Sequence, residues 1–204
     1  MRQLTIPIPE YQAAVYLPAG VFHWSEEEFF RFCQANRDLR IERSPKGEII
    51  VMSPAGGYAG YRSGVAFRQL SVWAEKEGTG VAFDSSTGFR LPNGAMRSPD
   101  AAWVRLPRLK ALSPEEKERF IPLCPDFVME VASPSDELSS LREKMREYME
   151  CGLPLGWLVL PGSTQVEIYA PVGVEMLTSP QTVSADPLLP GFKLELAPIW
   201  HPPF

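Results

Sequence analysis

The sequence predicts an α/β protein, a mixed β-sheet with its major helices laid against it. Three observations carry that reading. Residues 127–132 are six in a row with five apolar, opened by Pro125-Asp126 and closed by Ser133-Pro134-Ser135, which is the pattern of a buried strand. A helical pattern follows at once, and strand patterns lie on either side of the pair. A longer helical segment, about 62–77, repeats Ala66, Leu70, Trp73 and Ala74 on one face and stops at Gly78. No composition break or internal repeat divides the 204 residues, so a single domain over 1–204 is expected.

Taken in order, residues 1–20 are mixed and Pro-bearing and read as an irregular arm. Ser25 and Glu28 have capping-box spacing, so a helix runs to about Asn36 with Phe29, Phe30 and Cys33 inward. Residues 39–43 and 48–52 flank Pro45-Lys46-Gly47 as a hairpin, giving an N-terminal helix-and-hairpin extension. Gly56-Gly57-Tyr58-Ala59-Gly60 reads as a loop, either a plain connection or a backbone able to approach a phosphate. Arg62 and Arg68 on the next helix are solvated or face phosphates. Short strands are expected at 81–83 and 88–91, a turn at Pro92-Asn93-Gly94, and a strand at 99–104. Ser113-Pro114-Glu115-Glu116 opens a short helix with Pro at its first position. After the 127–132 strand, Ser135 or Asp136 caps a helix to about Cys151 whose buried stripe is Leu138, Leu141, Met145 and Tyr148. Strands at 156–160 and 165–169 join through Pro161-Gly162, and 189–200 adds one more strand and an apolar close.

Composition narrows the function. The net charge of −5 argues against a constitutive, tight nucleic-acid binder. Two histidines and three scattered cysteines (Cys33, Cys124, Cys151) do not suit a zinc site or a disulfide framework, and they point to a reducing cytoplasm. No GxSxG, GxxxxGK[ST] or GxGxxG occurs. No apolar run approaches the roughly 18 residues of a membrane span, and the N-terminus lacks the apolar core of a secretory signal.

Glu130 is the residue that asks for an explanation. A carboxylate inside a buried strand needs a partner. One reading gives it a divalent cation shared with Asp100. The other turns it out of the sheet end or pairs it with an Arg. Asp126 cannot share that cation: it is four residues away on the same strand, about 13 Å at 3.3 Å per residue, whereas co-ligands lie within about 4 Å. Lys144 borders the buried stripe of the following helix, about 60° from Leu141 and about 40° from Tyr148, and can run its stem over apolar surface toward the sheet end. It reaches Glu130, or it pairs with Glu147 or Asp136. Two carboxylates, a cation and a lysine would activate water and neutralise charge at a phosphodiester.

Several runs resemble one family in order and spacing over about residues 25–200. They are Gly47-Glu48-Ile49-Ile50-Val51-Met52-Ser53-Pro54, Ser86-Thr87-Gly88-Phe89-Arg90-Leu91-Pro92-Asn93-Gly94, Arg97-Ser98-Pro99-Asp100-Ala101-Ala102-Trp103-Val104, and Pro125-Asp126-Phe127-Val128-Met129-Glu130-Val131, with Lys144-Met145 and Gly156-Trp157-Leu158 after them. They resemble the Uma2 endonucleases, of the restriction-endonuclease-like PD-(D/E)xK superfamily. The resemblance implies a mixed central sheet flanked by helices and a Mg²⁺ (or Mn²⁺) dependent nuclease acting on DNA. It implies Asp100, Glu130, Lys144 and Glu42 as catalytic residues and Asp100, Glu130 and Val131 around the metal. The superfamily's usual lysine, two residues after the second acid, is absent, because Ala132 stands there; the resemblance moves it to Lys144. Glu42 matches an acidic position of the family, or else is a solvated hairpin charge. By fold analogy a homodimer is expected. Two other functions stand beside this one. The first is a binding or assembly module with vestigial carboxylates and an apolar patch around Trp103, Trp157 or Trp200. The second is a phosphohydrolase acting on a small nucleotide.

Overall fold

The structure, a computed structural model, describes residues 14–20 and 24–204. In the N-terminal half the strands are β1 (Ala14–Leu17), β2 (Arg40–Arg43), β3 (Ile49–Met52), β4 (Gly80–Asp84), β5 (Phe89–Arg90), β6 (Met96–Arg97) and β7 (Ala101–Arg105). Then come β8 (Phe127–Val131), β9 (Leu155–Leu160), β10 (Gln165–Ala170), β11 (Gly173–Thr178), β12 (Thr182–Ser184) and β13 (Lys193–Glu195). The helices are α1 (Glu26–Ala35), α2 (Gly57–Glu77), α3 (Leu106–Lys110), α4 (Pro114–Lys117), α5 (Leu138–Glu150) and α6 (Ala197–Trp200).

The central sheet has the order β11-β10-β9-β8-β7-β4 and is mixed: β8 and β9 run parallel, and every other pair is antiparallel. A parallel neighbour needs a crossover, and α5 supplies it. Period-two alternation then decides which side chain meets which helix. From β8, Phe127, Met129 and Val131 join the core beneath α2, with Leu70, Ala74 and the apolar tail around Phe192. Val128 joins the core beneath α5, with Ala102, Met145 and Tyr148. Glu130 has the same parity as Val128, so it faces α5.

The hairpin β2–β3 is the centre of a second, antiparallel sheet of order β1-β3-β2-β6-β5. One of its faces buries Ile41, Ile49 and Met96 against Phe29 of α1. The capping box at Ser25 and Glu28 closes reciprocally and starts α1 where the spacing predicts. Glu42 and Arg97 alternate with Ile41 and Met96, so they leave the opposite face, toward α5.

Several expectations are corrected. Of the arm expected over 1–20, residues 1–13 lie outside the described residues, whereas Ala14–Leu17 pair with Ile49–Met52 as a regular edge strand. The expected Gly56–60 loop is instead the N-cap and first turn of α2. Tertiary contacts override the poor helix propensity of glycine there: Tyr58 stacks on Phe204 and Arg62 Nε donates to Ile199 O at 2.9 Å. Gly78, at φ 72°, ends α2 as predicted. Helix α5 is capped at Glu137 without a side-chain bond, because the Asp136 carboxylate instead accepts from Ser133 N at 2.7 Å and closes the preceding turn. Strand β7 begins at Ala101, two residues later than expected. The strands β6 and β11 and the helix α3 were not legible in the pattern. Trp103 and Trp157 are fully buried and Trp200 is partly buried on the core, so none of them makes an exposed patch. All three cysteines are free thiols. Among the described residues no helix is long and apolar enough to cross a membrane.

Candidate functional site

Antiparallel pairing of β7 with β8 sets Ala101 opposite Met129 and Ala102 opposite Val128. Continued by one step, that register brings Asp100 level with Glu130 on the α5 face. Asp100 Oδ2 accepts the Val131 amide at 2.8 Å, which ties the two strand ends together. Its Oδ1 meets Arg40 Nη1 at 3.1 Å, and the same guanidinium donates to Ser98 O.

Glu130 is 3 % exposed. Its Oε1 receives Lys144 Nζ at 2.7 Å and the Tyr148 hydroxyl at 3.2 Å, and its Oε2 carries neither contact. Lys144 and Tyr148 are one turn apart on α5, which explains how both reach one strand carboxylate. Lys144 Nζ also meets Glu42 Oε1 at 2.9 Å. It therefore pairs with Glu130 and Glu42, not with Glu147 or Asp136. Glu42 is 2 % exposed, which excludes the solvated hairpin charge. Its Oε1 also accepts Ser98 N at 2.9 Å, and its Oε2 meets Arg97 Nη1 at 3.1 Å. Arg97 Nε continues to Glu147 Oε2 at 2.6 Å.

The structure thus brings together Asp100, Glu130, Lys144 and Glu42, with Val131 joined through its amide. Sequence reasoning missed Arg40 and Arg97 as site members. Each shares a face with a candidate acid, Arg40 with Glu42 two residues along β2 and Arg97 across from Glu42 by the β2–β6 register, but strands this short do not announce it in sequence. Asp126 is remote from the cluster and accepts the Arg105 amide at 2.9 Å and Arg108 Nη1 at 3.0 Å.

Among the described residues four carboxylates (Glu42, Asp100, Glu130, Glu147) meet three fixed cations (Arg40, Arg97, Lys144). One negative charge is left over, and its cost falls on Glu130. Burial pushes the Glu130 carboxyl up, Asp100 and Glu42 add to the push, and even against Lys144 and Arg40 it stands at about 7. Burial pushes Glu42 up too, but Lys144, Arg97, Arg40 and the Ser98 amide outweigh it and hold the group at about 2. Burial works to lower Lys144, yet Glu130 and Glu42 prevail and raise it, so its ammonium stays charged at neutral pH. Among the described residues no group of three or more His, Cys, Asp or Glu side chains is placed to hold a metal ion. A cation here would draw on two carboxylates and the main chain.

A cleft of about 600 Å³ opens between the β2–β3 hairpin and α5. Glu42, Arg97, Lys144 and Glu147 reach its wall, with Lys46 and Glu48 from the hairpin and Glu137 and Glu143 from the helix. Asp100 and Glu130 do not line it. The site therefore has two sides: an acid pair at the sheet end, and a charged wall on the cleft, with Lys144 joining them.

Among solved structures the chain is similar to one described as "a putative nuclease belonging to DUF820" from Anabaena variabilis. The identity is 17 %, the match covers 78 % of this chain and 89 % of that one, and the TM-score is 0.65, so the two share a fold. Among curated proteins none matches. The family model described as "Putative restriction endonuclease" matches residues 26–197, the span that holds the central sheet, the second sheet apart from its edge strand β1, and every member of the cluster. The chain belongs to the Uma2 family.

Proposed function

We propose that this chain is a metal-dependent nuclease that hydrolyses phosphodiester bonds in DNA. The observation that carries the reading is the facing of Asp100 and Glu130 across β7 and β8 with Lys144 against Glu130, in a chain of the Uma2 family. In the reaction a water oxygen bonds to phosphorus, one P–O ester bond breaks, and the leaving alkoxide takes up a proton.

The donor set fits a hard divalent cation: two carboxylates level with one another, one of them carrying charge that the protein leaves uncompensated. Asp100, Glu130 and the Val131 carbonyl would hold Mg²⁺ or Mn²⁺, which when bound supplies an acidified water and neutralises phosphate charge. Glu130 offers Oε2, the oxygen that Lys144 and Tyr148 leave unused. Arg40 must yield Asp100 Oδ1, and its guanidinium then stands where a phosphate can accept its donors. Lys144 keeps a full positive charge beside the acid pair and stabilises negative charge that grows on the phosphoryl oxygens. Glu42 holds Lys144 in place. A homodimer, with one protomer for each strand, belongs to the same reading and rests on fold analogy.

The test is a calorimetric titration of Mn²⁺ into the protein and into Asp100→Ala, with circular dichroism on both. Binding that vanishes in a folded variant is the expected result. Equal heats in the two proteins would sink the metal reading. One observation favours a second reading in that case. Arg40 and Lys144 already pair with the two acids, so the cluster can stand as an internal network in a binding or assembly module.

A further inference from the structure

We infer that Arg97 is a positioning residue of this site: acting through Glu42, it fixes the Lys144 ammonium against Glu130. The inference rests on the nuclease reading for its catalytic meaning, but the geometry it invokes is independent of metal or substrate.

Arg97 is 8 % exposed and sits in the two-residue strand β6. Burying a guanidinium is costly unless its donors are used. Here the fork is divided between two carboxylates on two different elements, Nε to Glu147 on α5 and Nη1 to Glu42 on β2. Arg97 therefore bridges helix and strand one turn along α5 from Lys144.

The consequence for Glu42 is specific. Arg97 takes Oε2 at 3.1 Å, and the neighbouring Ser98 amide takes Oε1 at 2.9 Å. With both oxygens assigned, the carboxylate plane cannot turn, and the remaining acceptor direction of Oε1 points at Lys144. Glu147 is held in its turn: its Oε1 accepts Asn93 Nδ2 at 2.9 Å, and Asn93 Oδ1 accepts the Ala95 amide at 3.0 Å. The chain of contacts thus begins in a backbone turn and ends at Lys144. A lysine free of such anchors loses side-chain entropy when it is ordered in the reaction, a cost that pre-organisation removes. Arg97 also lines the cleft, so direct contact with a substrate phosphate is the competing role. The two roles part experimentally.

The experiment compares the wild type with R97M, R97K, K144M and the R97M/K144M pair. It uses single-turnover cleavage of a DNA duplex with Mn²⁺ and acylation of lysines read at Lys144 by mass spectrometry. A positioning role predicts that R97M lowers the maximal rate roughly tenfold or more while half-saturation by DNA changes less than about twofold. R97K, which keeps the charge but loses the fork, recovers part of that rate. The double variant cleaves no more slowly than K144M alone, because Arg97 acts through Lys144. Lys144 is acylated several-fold faster in R97M than in the wild type. If R97M does not fold, R97K alone decides, with faster acylation expected. A raised half-saturation at unchanged maximal rate, multiplicative losses in the double variant, or unchanged acylation would each overturn the inference. A wild type that cleaves nothing would instead sink the nuclease reading, and the acylation rates would still decide whether Arg97 holds Lys144.

Discussion

Two Pro-Asp pairs lead into two neighbouring strands of one sheet, and they meet opposite fates. Strands β7 and β8 are antiparallel, so Asp100 and Asp126 lie at opposite ends of their shared ladder. Asp126 accepts a backbone amide from Arg105, the last residue of β7, and an ion pair from Arg108 in α3. It stitches the corner into α3 and, among the described residues, meets no second carboxylate. Asp100 lands level with Glu130, with Glu42 close behind Lys144. The dipeptide is the same, and the difference comes from what the adjacent strand presents at that level. Where it presents cations and an amide, the Asp is a structural tie. Where it presents another acid, charge accumulates, and the site needs a lysine, two arginines and one further positive charge to be at rest.

The comparison breaks most sharply under substitution of each Asp in turn. Asp100→Ala is expected to lower DNA cleavage by at least about 10³-fold with the fold retained, the loss of a metal-binding acid. Asp126→Ala should leave the rate per folded molecule alone and lower unfolding free energy by roughly 1–3 kcal/mol, because a partly buried amide and an arginine lose their acceptor. Chemical denaturation and initial rates on the same samples check both. Comparable rates in the two variants would erase the distinction. A second substitution, Lys144→Met, strips the acid pair of the one side-chain cation among the described residues that contacts Glu130 directly. Breaking a buried pair from one side costs about 3–5 kcal/mol, and the loss should grow with pH because Glu130 can escape it by holding a proton. A urea titration at pH 6 and at pH 8 reads that difference.

Much of this arrangement was legible in the sequence, and what was not has a physical reason. The buried strand at 127–132, the carboxylate inside it and the helix immediately after it that carries Lys144 were all in the pattern, whereas the face Glu130 takes came only with the packing of the two cores. The reach of one extended strand excluded Asp126 as its co-ligand. The resemblance, and not the spacing, singled out Glu42. Arg97 and Arg40 were missed because β6 is two residues long and β2 four, too short for a strand pattern to show which face a charged side chain takes. The start of α2 was missed because a tail 146 residues away supports it through Phe204, and no local pattern reports such a contact. The cap of α5 was misplaced because Asp136 had a competing acceptor role in the Ser133 turn.

The smallest effect sharpens the comparison within the cluster itself, between its two most buried acids. Glu42 is held at about 2, below an ordinary Glu, so its contribution to stability is present above pH 4.5 and is lost as pH falls toward 2. Glu130 is raised to about 7, so its contribution has the opposite sign: complete below pH 4.5, it is lost as pH rises toward 7. One acid therefore limits the cluster from the acid side and the other from the neutral side. In metal-free buffer the wild type should lose on the order of 2 kcal/mol of unfolding free energy between pH 5 and pH 8, and Glu130→Gln should flatten that limb while leaving the acid limb in place. Denaturation midpoints across that range decide it. A wild-type curve already flat from pH 5 to 8 would mean that Glu130 is ionised at ordinary pH, with Lys144 and Arg40 alone sufficient to balance the acid pair. Added Mn²⁺ should remove the same limb in the wild type, because a cation at Asp100 and Glu130 replaces the proton that Glu130 otherwise holds.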